Sequence, residues 1–304
     1  MEIDYLILAH KNPSQVARLV QRLACEDARI YLHIDKQVEL EPFQRALTNI
    51  SIKTAVHWVK RVKTVWAEFS LVQATLNGLN EILQDHSERG YIILLSGQDY
   101  PIKPVSFIRE FFEMNDGKNF IQCYEMPAYW EKERGLVRVE KKYFTFRGQR
   151  RTFPPDSPPK SVQGRIFLEL QRMYFWRKVS LPRGLKLHRG TQWWCLTREA
   201  ARYMVEYIRQ NPGIRQYFQY AWAPDEIIFQ TILGSAENRK KTIVHDNDLR
   251  YVEWDRPTPP YPAILKTSDL PALETSDKLF ARKFDIDVDS EILDLIDNRI
   301  LSKR

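Results

Sequence analysis

The first hundred residues alternate between short, continuous apolar runs and longer stretches in which apolar residues recur every three or four positions. The short runs are typical of buried strands and the longer stretches of amphipathic helices. The predicted strands are residues 3–9, 29–35 and 90–97, and the predicted helices are residues 15–26 and 67–85. Strand, helix and strand in close succession form a βαβ unit. The pattern therefore predicts an open α/β sheet whose ligands bind at the carboxyl ends of the strands.

Residues 131–165 do not follow this pattern, because they are basic and proline-rich. We expect an irregular basic insertion or a lid there, with a solvated linker as the equal alternative. Periodic structure resumes after it. The predicted helices are residues 167–179, 198–210, 222–233 and 290–301, and the predicted strands are residues 190–197, 241–245 and 249–254. The helix at 222–233 is predicted to begin at Pro224, with Asp225 and Glu226 facing the positive end of its dipole.

The composition indicates a folded chain but excludes few functional classes. Of the 304 residues 43% are apolar, which is enough for a sizeable core, so we expect one domain. The net charge of +7 permits an anionic partner such as nucleic acid, a phosphate-bearing ligand or a membrane surface. The three cysteines are widely spaced, which favours reduced thiols. The N-terminal apolar run is too short for a signal peptide, so we expect a bacterial-style cytoplasmic protein, with peripheral contact to the inner face of the membrane as an open option.

Three well-known nucleotide-binding and hydrolase motifs do not occur in the sequence. These are GxGxxG after the first strand, the Walker GxxxxGK[ST] and GxSxG, so the sequence gives no support to dinucleotide oxidoreductases, P-loop kinases and serine hydrolases. Polar side chains instead follow three predicted strands: His10, then His33 and Asp35, then SGQDYPIK at 96–103. Such clusters suit the recognition of a sugar or a base, and ordinary turn polarity is the alternative.

Seven short segments carry a resemblance to a known family. They are YLHIDK, VWAEFSLVQATL, LLSGQDYPIKP, GTQWWCLT, PDEIIFQTIL, LRYVEW and LFARKFD. In this order they resemble the core-2/I-branching β-1,6-N-acetylglucosaminyltransferases, a family that includes the peptide O-xylosyltransferases, over about residues 3–285. The resemblance implies a GT-A-like open, mostly parallel sheet flanked by helices, a UDP-sugar donor and inversion at the anomeric carbon. It further implies a nucleotide-binding half at 1–125 and an acceptor-binding and catalytic half at 126–304.

The resemblance also implies a set of site residues. Glu226 is similar to the family's general base, which takes the proton of the acceptor hydroxyl. The residues implied for the donor are His10, Asp35, Asp99, Lys266, Arg282 and Lys283, with the basic ones on the diphosphate. The residues implied for the acceptor are Arg134, Arg138, Trp193 and Trp254, the tryptophans offering a face to sugar C–H groups. Trp193 and Trp194 are adjacent, so only one of them can face a cleft, and core packing is the default for both.

No metal is expected, because the position of the usual Asp-x-Asp pair reads Gly97-Gln98-Asp99-Tyr100, with one carboxylate. Other Asp-x-Asp spacings occur at Asp246 and Asp248 and within 285–289, where turn and helix-start acids are the simpler explanation. Lysine and arginine must then neutralise the leaving nucleotide.

The sequence leaves several functions open. A glycan acceptor and UDP-N-acetylglucosamine are the first expectation, and a peptide or glycan O-xylosyltransferase using UDP-xylose is the alternative. The basic, aromatic run KKYFTFRGQRR at 141–151 motivates a non-catalytic nucleic-acid-binding protein, whose affinity would fall steeply with salt. A nucleotide-sugar-binding protein without catalysis is the third reading.

Overall fold

A seven-stranded sheet forms the centre of the protein. The structure, a computed structural model, describes residues 1–85, 87, 89–126, 135–157, 159–175, 179–237, 243–244, 247–257 and 259–302. Numbered along the chain, the described strands are β1 Ile3–Ala9, β2 Ala28–Ile34, β3 Val56–Trp58, β4 Tyr91–Ser96, β5 Asp99–Pro101, β6 Asn119–Ile121, β7 Tyr124–Glu125, β8 Lys142–Phe146, β9 Gln149–Phe153, β10 His188–Arg189, β11 Trp194–Thr197, β12 Ile243–Val244, β13 Arg250–Val252 and β14 Phe280–Arg282. The central sheet has the order β12-β6-β11-β4-β1-β2-β3.

Six of these seven strands run in the same direction. β1 pairs in parallel with β2 and β4, and β3 extends the parallel set beyond β2. β11 is antiparallel to both of its neighbours, β4 and β6. β1 is buried along its whole length, as a strand covered on both faces requires. The prediction of an α/β fold with an open, mostly parallel sheet flanked by helices is confirmed.

Helices cover both faces of the sheet. The described helices are α1 Pro13–Leu23, α2 Glu41–Thr48, α3 Phe69–Ile82, α4 Val105–Met114, α5 Val137–Glu140, α6 Val162–Tyr174, α7 Arg198–Gln210, α8 Pro212–Phe218, α9 Ile228–Ser235, α10 Leu270–Thr275 and α11 Glu291–Ile296. Alternate residues of β1 enter different cores: Tyr5 and Ile7 pack with α1 and α4, and Leu6 and Leu8 with α3, α7 and α9. In the described ranges no helix is both long and apolar enough to cross a bilayer.

A smaller sheet lies at the carboxyl-terminal edge of the central one. Its order is β13-β14-β5, with β13 and β14 parallel and β5 antiparallel to β14. Because β5 follows β4 directly, this sheet brings the end of β14, from the last quarter of the chain, next to the end of β4. The central sheet also takes strands from both predicted halves, while the functional division at residue 125 stays a prediction.

The basic segment at 131–165 is more regular than predicted. Its described part contains α5 and the antiparallel hairpin of β8 and β9, and α6 begins at Val162, earlier than the periodicity at 167–179 indicated. Ser161 caps α6 by accepting from the Gly164 amide. The expectation of an irregular insertion is therefore wrong for these residues. We call residues 141–175 the hairpin–helix segment.

The predicted helix at 222–233 is also interrupted. Pro224–Glu226 form a single 3₁₀ turn, and α9 starts only at Ile228, after Ile227 leaves helical geometry. The Glu226 carbonyl accepts from the Gly190 amide at 2.9 Å, a bond to a neighbouring loop. Only glycine fits there, because a Cβ on residue 190 would lie 1.9 Å from the Gln122 carbonyl oxygen. Glu226 therefore lies on a turn before the helix.

Candidate active site

A cleft of about 600 Å³ opens at the carboxyl ends of β1, β2 and β4, where the sheet predicted a ligand. Its volume lies within the usual range for small-molecule sites. The strand-end residues that line it include His10, Asp35, Ser96 and Gln98. The end of β14 adds Arg282 and Lys283, and the approach to β11 adds Gln192 and Trp193. The structure thus places five of the six predicted donor residues at or against one cleft, with Asp99 beneath it and Lys266 as the exception.

Asp35 is fixed at one end of the cleft by the loop that follows β3. Its Oδ1 accepts from the Gln37 amide at 2.7 Å, and its Oδ2 accepts from the amide and hydroxyl of Thr64. Burial acts to raise the pKa of Asp35, but the hydrogen bonds from Thr64 and Gln37 outweigh it and hold the pKa below its ordinary value. A charged, oriented carboxylate is thus available to accept from a ligand hydroxyl or N–H group.

His33, on the same strand, is occupied by the fold. Its Nε2 accepts from the Val62 amide at 3.1 Å, and burial lowers its pKa to about 4. The neutral imidazole therefore anchors the loop that carries Thr64. His33 also lines the cleft, but its ring nitrogen is already used by this hydrogen bond within the fold.

The opposite end of the cleft is positive. The Arg282 guanidinium stacks 4.2 Å from the centre of the Trp193 ring, and Lys283 lies next to it in the cleft lining. Burial, together with the charges of Arg282 and Lys11, lowers the pKa of Lys283. Two adjacent cations in a recess suit a phosphate or diphosphate group, whose charge would relieve their mutual repulsion.

Asp99 supports this positive end from below. It is fully buried, its Oδ2 accepts from the Ser96 amide, and its Oδ1 lies 3.3 Å from Arg282 Nε. Burial raises the pKa of Asp99 despite the nearby guanidinium. Asp99 does not line the cleft, so its contact with a donor would run through Arg282. The alternation expected of the two tryptophans is observed, because Trp194 is buried against Phe229 while Trp193 faces the cleft.

Glu226 and Arg138 form an ion pair near the positive end. Arg138 Nη1 donates to Glu226 Oε2 at 2.8 Å, and about a third of the Glu226 side chain is exposed. Within the described part of the chain, Glu226 Oε1 accepts no hydrogen bond. Glu226 does not line the cleft, but its charge acts on Arg282. A carboxylate held by one oxygen and open at the other can take a proton from an incoming hydroxyl.

The backbone around Glu226 is strained. Ala223 and Ala67 both have positive φ angles, 47° and 60°, and the Ala223 amide donates to the Ala67 carbonyl at 3.0 Å. Residues other than glycine adopt this conformation at a cost, and such strain is concentrated at functional sites. Ala67 adjoins Trp66, which lines the cleft. The strained pair thus ties the cleft to the turn that carries Glu226.

Asp225 does not play the role predicted from the helix dipole. Its side chain is buried, Oδ1 accepts no hydrogen bond in the described structure, and burial together with the neighbouring Glu226 raises its pKa to about 8. The prediction assumed an exposed acid in a helical first turn. The 3₁₀ turn instead directs Asp225 inward, so it is neutral at low and intermediate pH.

The structure does not bring every predicted residue into the site. Lys266 is exposed, its amide donates to Asp269, and it is absent from the cleft lining. Trp254 is 56% exposed and also lies outside the lining. Arg134 lies outside the described residues. The donor role of Lys266 and the acceptor roles of Trp254 and Arg134 stay predictions.

The alternative metal acids have other partners. Asp248 accepts from the Thr191 hydroxyl at 2.8 Å, Asp285 pairs with Lys11 at 2.5 Å, and Asp289 accepts from the Thr267 amide at 2.8 Å. Asp246 is outside the described residues. Across the ranges that are described, no three His, Cys, Asp or Glu side chains converge as metal ligands would. Asp248, Asp285 and Asp289 thus serve as hydrogen-bond or ion-pair acceptors in turns and at a helix start, and the absence of a metal stays a prediction.

Sequence reasoning missed several residues of the site. Thr64, Trp66 and Gln192 line the cleft but follow no predicted strand. Thr64 and Trp66 come from the loop after β3, a three-residue strand too short for periodicity to reveal. For Gln192, the only feature in the sequence that could have indicated a site was its position next to the pair Trp193-Trp194.

Comparisons with known proteins give a family match over most of the chain. Residues 3–274 match the family model described as Core-2/I-Branching enzyme. A xylosyltransferase of Ciona intestinalis is 24% identical over 99% of this chain and 34% of its own length. Xylosyltransferase 2 of Homo sapiens is 25% identical over 98% of this chain and 33% of its own length. The chain therefore spans about a third of the length of the curated relatives it matches.

Among solved structures, mouse xyloside xylosyltransferase 1 in its apo form superposes with a TM-score of 0.43. The sequences are 11% identical, and the superposition covers 92% of this chain and 97% of that one. The fold described above rests on the strand order and directions of this chain.

Proposed function

We propose that this chain, which belongs to the Core-2/I-Branching enzyme family, is a glycosyltransferase that transfers a sugar from a UDP-sugar to an acceptor hydroxyl with Glu226 as general base. One observation carries the proposal. The strand-end cleft has an oriented carboxylate at one end, two cations at the other, and nearby an ion-paired glutamate whose charge acts on one of those cations, Arg282. In a UDP-sugar, the carboxylate would face the nucleoside, the cations the diphosphate, and the glutamate the sugar that reacts.

In the proposed reaction Glu226 takes the acceptor proton as the hydroxyl oxygen attacks the anomeric carbon. The bond from that carbon to the β-phosphate oxygen breaks, and UDP leaves with the bonding electrons. Arg282 and Lys283 neutralise the charge that develops on the diphosphate, the usual role of preorganised cations in such a step. Attack opposite the leaving group inverts the anomeric configuration. Arg138 is proposed to orient Glu226 through its 2.8 Å contact. These residues carry no metal-dependent role in the proposal.

The nature of the donor sugar is a separate part of the proposal. UDP-N-acetylglucosamine was the first expectation from the sequence, whereas the relatives named above are xylosyltransferases. We propose UDP-xylose and UDP-N-acetylglucosamine as the two donors to compare, with the relatives favouring xylose. The acceptor hydroxyl is proposed to belong to a glycan or a peptide.

Thermal unfolding with added ligand tests donor binding. UDP, UDP-xylose and UDP-N-acetylglucosamine are each added in EDTA and in Mn²⁺, and a short DNA duplex is added alone. A ligand at 100 times its Kd stabilises the folded state by about 2.7 kcal/mol, which raises Tm by several degrees. We expect such a rise with UDP and with one UDP-sugar, unchanged in EDTA.

Lysine variants locate the binding. Lys283→Met should abolish the rise, and Lys53→Met, at an exposed position outside the cleft lining, should keep it. Lys266→Met decides whether that residue is a second phosphate ligand. A shift with DNA alone that vanishes in salt would overturn the transferase site and favour nucleic-acid binding. A shift that requires Mn²⁺ would overturn metal independence.

A further inference from the structure

Helix α6 presents an unusual surface. None of its thirteen residues is buried, and five of its apolar side chains are more than half exposed: Val162, Ile166, Leu170, Met173 and Tyr174. Counted from Val162, the other four follow at four, eight, eleven and twelve residues, which places them on one side of the helix. Single exposed apolar residues are ordinary, but a continuous stripe of them marks an interaction surface.

The opposite side of α6 is already occupied. Phe167 packs on Phe146 with ring centres 5.3 Å apart, and Phe175, just after the helix, packs on Phe153 at 5.2 Å. These contacts fix the helix to the β8–β9 hairpin. Tyr174, at the end of the stripe, also contacts Tyr220 through their hydroxyls at 2.8 Å. The rest of the stripe, from Val162 to Met173, faces away from these contacts.

The charge around the stripe is strongly positive. The hairpin–helix segment contains eight lysines and arginines and two acids, so it accounts for six of the chain's net seven positive charges. Arg165 and Arg172 lie beside the stripe on the helix itself, seven residues apart, and both are exposed. Arg147, Arg150 and Arg151 extend the basic surface along the hairpin.

We propose that the hairpin–helix segment docks on an anionic phospholipid bilayer, with the α6 stripe inserted among the headgroups and the flanking arginines on lipid phosphates. A helix with an apolar face and basic residues along its edge has the chemistry of an interfacial membrane helix. Each basic residue near an anionic surface adds to binding, and salt weakens that part.

Other occupants fit these observations less well. In a twofold dimer through the stripe, Arg165, Arg172 and the hairpin arginines would meet their own copies, and the resulting repulsion opposes association. Nucleic acid would suit the arginines but would gain little from valine, isoleucine, leucine and methionine, which do not stack on bases. An anionic bilayer satisfies both the stripe and the charge.

The docked surface lies close to the cleft. Arg150 sits over the rings of Trp66 and Trp222, at 5.2 Å and 4.4 Å from their centres, and Trp66 lines the cleft. Docking would therefore hold the cleft next to the bilayer surface. The docking itself does not depend on the proposed transfer reaction, since it can be measured without any sugar donor.

Vesicle flotation tests the proposal with the full chain. We expect binding to vesicles of phosphatidylcholine with 30% phosphatidylglycerol, and at least tenfold weaker binding to pure phosphatidylcholine or in 0.5 M salt. Ile166→Ser with Leu170→Ser should weaken binding tenfold or more, because both side chains leave the apolar phase. Arg165→Gln with Arg172→Gln should weaken it about thirtyfold.

Matched variants away from the segment serve as controls. Met114→Ser, at a 68% exposed apolar position on α4, and Arg45→Gln with Lys53→Gln should bind as the parent does. Equal binding by the two α6 variants and their controls would overturn the proposal. So would self-association, measured by light scattering, that the α6 variants abolish in the absence of vesicle binding, or DNA binding that displaces the protein from vesicles.

Discussion

The strand-end cleft and the hairpin–helix segment are built on opposite principles. Each polar group at the base of the cleft rests on buried structure: Asp35 accepts from the loop after β3, and Arg282 lies over Asp99, which is fully buried. The segment has no buried residue in its longest helix and is held by aromatic contacts along one side. The first arrangement fixes charges for chemistry, and the second leaves an apolar surface free for contact.

One chain thus contains a rigidly held site and a separate surface that can adapt to a partner. A catalytic group must be held within a fraction of an ångström, which only a packed sheet can supply. A surface that meets a fluid partner needs exposed area and charge but no fixed register. Substitutions should therefore act on reaction rate and stability in the cleft and its sheet, and on association in the segment.

The largest expected effect comes from Glu226→Gln. Glutamine keeps an oxygen that can accept from Arg138 but cannot take a proton, so kcat should fall by about 10²–10⁴ while the KM for the donor stays near its original value. Steady-state transfer assays with a radiolabelled UDP-sugar measure both constants.

Glu169→Gln is the matched change in the segment, because Glu169 is 62% exposed on α6. We expect its rate constants to equal those of the parent. A comparable loss of kcat in both variants, or retained activity in Glu226→Gln, would remove the contrast between the two regions and overturn Glu226 as the general base. UDP-sugar binding with no transfer by the parent would point to a nucleotide-sugar-binding protein without catalysis.

A second contrast compares two leucines. Leu94, on β4, is fully buried beside Trp194, and Leu170, on α6, is 56% exposed. Leu94→Ala should lower the free energy of unfolding by about 2–5 kcal/mol, because it leaves a cavity in a packed core. Leu170→Ala should change it by less than about 0.5 kcal/mol, as surface substitutions do.

Urea unfolding followed by circular dichroism measures both differences. A loss of more than about 1 kcal/mol in Leu170→Ala would show that the stripe is packed in solution, for instance against another part of the chain. The hairpin–helix segment would then be part of the core, and the two regions would no longer differ.

Much of the sheet was predictable because burial on both faces leaves a continuous apolar run, as in residues 3–9 and 90–97. The helix Arg198–Gln210 was predicted close to its observed bounds because its apolar face and its capping threonine, Thr197, are both local features. The cleft followed from the strand ends, whereas the ion pair of Glu226 with Arg138 followed from no pattern in the sequence.

The rest depended on contacts between distant residues. The break before α9 arises because Gly190, more than thirty residues earlier, takes the Glu226 carbonyl, and no local pattern reports that bond. The exposure of the apolar stripe on α6 was also not predictable, because periodicity alone reads such a stripe as a buried face. The inward direction of Asp225 followed from the same break.

The last prediction concerns Asp225 and the change in the free energy of unfolding for each pH unit. Its pKa in the folded protein is about 8, above the ordinary carboxyl value near 4, so the folded state favours its neutral form. The stability that this provides is fully present below about pH 4 and is lost as pH rises towards 8. Asp225→Asn keeps a neutral side chain of similar shape at every pH. The parent should therefore lose stability relative to the variant by about 1.4 kcal/mol per pH unit across this window.

Urea unfolding of both proteins at pH 5, 6 and 7 measures the difference, and taking it as a difference cancels the other titrating groups. Asp156→Asn, at a 77% exposed position of the hairpin–helix segment, should stay within about 0.5 kcal/mol of the parent at all three values. A pH-independent difference for Asp225→Asn would mean that its carboxyl is ionised and solvated in the native state. The turn before α9 would then be open to water, and Glu226 would stand beside a second charge where the structure gives it a neutral, buried neighbour.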